Sequence, residues 1–76
     1  MGQENKVTLE LDRNDVGQIL DGLYVRKQIW ENTRGYMETG LADGEIEECS
    51  SAEEAGGVAE HYGRIIKEIE RQMGAR

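Results

Sequence analysis

Apolar residues recur along the chain with two different periods. In Val7-Thr8-Leu9-Glu10-Leu11 they alternate with polar residues and share one face, the pattern of a short half-buried strand. A strand alone leaves its backbone N–H and C=O groups unpaired, and no second strand pattern follows in the chain. The segment is therefore expected either to pair with its own copy in another subunit or to be merely extended. Residues 1–6 before it are largely polar and are expected to fray.

From residue 13 the spacing becomes helical. Val16, Leu23, Trp30 and Met37 recur every seven residues, and Ile19, Leu20, Ile29 and Tyr36 widen the stripe. Asp12 or Asn14 can cap the start, and Gly40 stands where a C-cap glycine belongs, so a first helix is expected over 13–39. Gly17, Gly22 and Gly35 inside it each weaken a helix by about 1 kcal/mol relative to alanine and imply close packing or simple tolerance. A connection over 41–50 follows, with a turn signal at Asp43-Gly44 and with Ile46 and Cys49 as its apolar anchors. Ser51 and Glu54 then match a capping box, which starts a second helix over 51–73. Its seam of Ala52, Ala55, Ala59, Tyr62, Ile66, Ile69 and Met73 advances by alternate threes and fours, broadened by Val58 and Ile65.

The two stripes complement each other antiparallel. Trp30, Tyr36 and Met37 would lie against the small residues Ala52, Ala55, Gly56 and Ala59, and Val16, Ile19, Leu20 and Leu23 against Ile65, Ile66, Ile69 and Met73. The expected fold is mainly all-α: one domain over residues 1–76, an antiparallel two-helix hairpin with a short N-terminal extended or β segment. A chain of 76 residues buries only about 60% of its unfolded surface, and neither hairpin stripe is fully covered by the other. A homodimer or higher homo-oligomer, completing a helical bundle, is the expected remedy.

Charge changes the picture next. Sixteen acids against nine bases give a net charge of −7, which argues against general affinity for nucleic acid or anionic membranes. There is no apolar run near the ~18 residues of a membrane span and no secretory signal pattern, so a soluble, cytoplasmic protein is expected. The charge is unevenly placed: residues 1–40 sum to −2, residues 41–54 to −6 and residues 55–76 to +1. Asp43, Glu45, Glu47, Glu48, Glu53 and Glu54 supply the −6 with no base among them.

No catalytic set is visible. The single histidine, His61, stands beside Tyr62 without a serine or cysteine in a nucleophile pattern. The single cysteine, Cys49, precludes an internal disulfide and a cysteine-rich zinc site, and it reads as a small apolar plug. Gly56-Gly57 follows Glu53 and Glu54, which would repel a phosphate. The acids around Asp43-Gly44-Glu45 lack the alternate spacing of a calcium loop. Strand, helix, helix is also the order of the ribbon-helix-helix repressors. Here, however, the outward strand residues are Thr8 and Glu10, the first helix is about twice too long, and acids begin the second helix.

The expected function is that of a non-enzymatic, oligomeric, acidic protein-binding module without cofactor or metal. Its size and charge are like those of phage and mobile-element accessory proteins that inhibit host defence proteins. Asp43, Glu45, Glu47, Glu48, Glu53 and Glu54 would face a basic protein partner. The alternative is an oligomer that sequesters a nucleotide-like ligand between subunits. Tyr24, Trp30 and Tyr36 would then stack on the base, and Arg34 would meet the phosphate.

Overall fold

A computed structural model describes residues 5–42 and 44–74. Two helices carry the structure, α1 over Arg13–Thr39 and α2 over Ala52–Met73. They pack as an antiparallel pair: Arg34 of α1 lies over Gly56 of α2, Lys27 over Gly63, and Arg13 reaches the carbonyl of Met73. No helix among the described residues is long and apolar enough to cross a membrane.

Local chemistry sets the helix ends. Asp12 is the N-cap of α1 by position, although its carboxylate makes no capping hydrogen bond. Gly40 ends α1 at φ 81°, and its N–H donates to the Tyr36 carbonyl. At the start of α2 the Ser51 hydroxyl accepts from the Glu54 N–H at 3.1 Å. The Glu54 carboxylate accepts in turn from the Ser50 N–H at 2.9 Å, one residue further out than a standard capping box. At the other end of α2, Arg13 donates to the Met73 carbonyl, so α1 helps to cap its neighbour.

The left-handed turn at Gly40 and the open helix surface at Gly22 make a signed pair. Gly40→Ala is expected to lower stability by about 1–2 kcal/mol, because a Cβ is strained in that conformation. Gly22→Ala should raise it by up to about 1 kcal/mol, since nothing lies within 4 Å of an added methyl. Thermal melts of the two variants against the parent should move in opposite directions.

The core is thin. Among the described residues the buried apolar side chains are Ala55, Ala59 and Ile66, all on α2. Opposite them, Val16, Leu20, Leu23, Ile29 and Trp30 of α1 are half-buried. Three positions differ from the expected packing: Ile19, expected against the end of α2, is 45% exposed, and the other two lie near the connection. Tyr36 and Met37 are exposed and line a groove against the connection rather than sitting in the α1–α2 seam. The last turns of α1 face the connection instead of α2, since Ile46, Glu47, Glu48 and Cys49 line the same groove.

Thr33 occupies the inner place instead and is 0% exposed. The small start of α2 is met by basic stems. A methyl at Gly56 would come within 3.3 Å of Arg34 Cδ, and one at Gly63 within 3.3 Å of Lys27 Cε. Both cations thus lay their aliphatic parts on a glycine while their charged ends pair outward with Glu38 and Glu31. Gly17, Gly22 and Gly35 have no such neighbour, so tolerance rather than close packing accounts for them.

Residues 7–11 form neither helix nor strand. Their backbone groups make no hydrogen bond among the described residues, because the chain offers no partner strand. Of residues 1–6, expected to fray, residues 1–4 lie outside the described residues.

Candidate functional site

The connection between the helices is fastened to α1 by two side chains. The Thr33 hydroxyl donates to the Ile29 carbonyl and accepts from the Glu47 N–H, each at 2.8 Å. From the adjacent position, the Asn32 amide donates to the Glu45 carbonyl at 3.2 Å. The chain passes so close to Asn32 that a Cβ on Gly44 would stand 2.9 Å from the amide nitrogen. Ile46 and Cys49 are half-buried and anchor the apolar side of the segment. The Cys49 thiol donates to the Ser51 carbonyl at 3.3 Å.

This fastening displays the acids. Glu45 and Glu48 are exposed, Glu47 is half-buried, and Glu53 and Glu54 lie exposed on the first turn of α2. Asp43, the sixth acid expected there, lies outside the described residues. The ion pairs among the described residues are Lys27–Glu31, Arg34–Glu38 and Glu68–Arg71, so none of these five acids belongs to one. Only Glu54 uses its carboxylate locally, at the Ser50 N–H. Tyr36, Met37, Ile46, Glu47, Glu48 and Cys49 together line a groove of about 340 Å³ with an apolar floor and an acidic rim.

The four residues of the alternative ligand site are spread along α1. Tyr24 donates its hydroxyl to Glu70, an acceptor that raises its pKa, whereas Arg34 pairs with Glu38 at 3.3 Å. Trp30 is half-buried with its indole N–H enclosed and without a hydrogen-bond partner among the described residues, and Tyr36 faces the connection groove. Tyr24 and Tyr36 are twelve residues apart, or about 18 Å along a helix axis. A ligand touching all four would need more than one subunit.

Elsewhere the polar surface is locally satisfied. Arg26 donates to the Tyr62 hydroxyl at 3.0 Å and stands 5.7 Å from that ring's centre. His61 is exposed, with Nδ1 3.3 Å from the Arg64 guanidinium. Glu68 has its pKa lowered from 4.5 to about 2 by hydrogen bonds from Arg71 and Gln72. That depressed pKa contributes stability above about pH 4.5, lost as pH falls toward 2, and its exposure to solvent keeps the contribution small. No cluster of three or more histidine, cysteine, aspartate or glutamate side chains among the described residues could hold a metal ion.

Thr33 and Asn32, which fasten the connection, are the positions that sequence reading missed. Thr33 stands three residues after Trp30 and four before Met37, so the three-four spacing of the α1 seam runs through it. No known protein family, curated protein or solved structure matches this chain.

Proposed function

We propose that the protein is a non-enzymatic, homo-oligomeric binding module that docks the acidic connection onto a basic surface of another protein. Inhibition of a host protein, as by a small phage accessory protein, is the role this reading fits. The observation that carries it is the fastening of the connection by Thr33 and Asn32, which presents Glu45, Glu47 and Glu48 in a set arrangement without an ion-pair partner. Like charges held this close repel one another, and a basic partner relieves that repulsion. The neighbouring groove offers an apolar floor to the aliphatic stem of a partner lysine or arginine.

The test compares the parent with a Glu45→Gln, Glu47→Gln, Glu48→Gln variant as bait in cell extract. Glutamine keeps the shape, and the backbone bonds that fasten the segment do not involve these side chains. The parent should retain a basic protein that elutes as salt is raised, and the variant should melt like the parent yet lose that protein. Equal capture by both baits would refute the reading. Recovery of an ultraviolet-absorbing small molecule instead would move the function to Tyr24, Trp30, Arg34 and Tyr36.

A further inference from the structure

At the open end of the hairpin, Val7, Leu9 and Leu11 line one groove with Val16 and Ile19 of α1 and Ile69 and Met73 of α2. Residues spaced by two that share a face behave as a strand does, yet no strand lies beside this segment among the described residues. Its side chains stay largely in water, with Val7 82% and Leu9 71% exposed.

The whole chain shows the same deficit of cover. It exposes 5927 Å², about 1,200 Å² more than the roughly 4,700 Å² of a compact protein of 8.6 kDa. Its radius of gyration is 14.9 Å, against about 11 Å for a compact chain of this length. A stable interface covers about 800 Å² on each partner, so one further copy is enough to remove most of the excess.

We propose that Val7–Leu11 pairs antiparallel with the same segment of a second copy, in a register centred on Leu9, and that this ribbon closes the two grooves into a shared dimer core. This inference rests on the homo-oligomeric part of the function proposed above and not on the acidic docking surface. Charge selects both the occupant and the register. Centring on Leu9 sets Val7 opposite Leu11 of the second copy and Thr8 opposite Glu10, so every apolar residue meets an apolar one and no like charges face. The next pair outward is Lys6 opposite Asp12, which occurs twice by symmetry. Both side chains are exposed, neither belongs to an ion pair among the described residues, and Asp12 spends no capping bond on its own helix. Shifting the register by one residue would oppose apolar to polar side chains along the whole segment.

The test combines sedimentation with charge exchange and cross-linking. The parent should sediment as a dimer. Lys6→Glu should weaken the dimer about tenfold by turning two attractions into repulsions, and Lys6→Glu with Asp12→Lys should restore it. In a Cys49→Ser background, Leu9→Cys should form an interchain disulfide on mild oxidation, because residue 9 faces itself across the axis. Glu10→Cys should not, since its two copies would stand about 8 Å apart. A parent that sediments as a monomer overturns both the ribbon and the oligomeric reading. A parent dimer indifferent to the charge exchange, with Leu9→Cys uncross-linked, overturns the ribbon and leaves the oligomer to another face.

Discussion

Ile66→Asp is expected to abolish the cooperative thermal transition and most of the helical circular dichroism at room temperature. Ile66 is 3% exposed and is the one large apolar side chain among the three buried ones described. Removing an isoleucine from such a site costs about 2–5 kcal/mol through lost burial and the cavity left behind. The carboxylate adds a charge in place of a buried apolar side chain, which costs further. A 76-residue chain holds only on the order of 4–11 kcal/mol in total, so the sum reaches the scale of the whole stability. Ile66→Val, by contrast, should cost about 0.5–1.5 kcal/mol and stay folded. A cooperative melt of Ile66→Asp near the parent temperature would show that the core lies elsewhere.

The second large effect belongs to Thr33. Thr33→Val keeps the volume and the branched shape but removes the hydroxyl that accepts from the Glu47 N–H and donates to the Ile29 carbonyl. The loss of an enclosed acceptor costs about 1–3 kcal/mol. Its location should be visible as well as its size. Amide exchange at Glu47 should accelerate strongly, while amides in the middle of α2 report only the global loss. Unchanged exchange at Glu47 would mean that other contacts hold the connection. Should the docking reading be right, Thr33→Val also weakens partner capture without altering a single charge.

The helix ends were legible because their chemistry is local. Ser51 and Glu54 satisfy amides within a few residues, and Gly40 needs only its own freedom from a Cβ. The α2 seam was legible because its apolar residues follow the helical period from Ala52 to Met73. What escaped were contacts in which residue type and position disagree. Thr33 is polar and therefore passed unnoticed at a seam position, although its hydroxyl finds two partners there. Arg34 and Lys27 are cations that no apolar period marks, yet their stems cover Gly56 and Gly63, each pair seven residues apart on its helix. Met37 reads as core from its heptad place and Tyr36 from the stripe beside it, and both are exposed because they face the connection rather than α2. The acids of the connection were legible by composition alone. Their fastening was not, since it runs through the backbone at Glu45 and Glu47.

The acidic connection as a docking surface is tested most directly by the association rate with the captured partner as ionic strength rises. For the parent the rate should fall steeply with salt, since exposed charges steer encounter and salt screens them. The Glu45→Gln, Glu47→Gln, Glu48→Gln variant should associate more slowly at low salt and converge with the parent at high salt. A parent rate that is flat across the salt series, or equal to that of the variant throughout, would contradict the assignment.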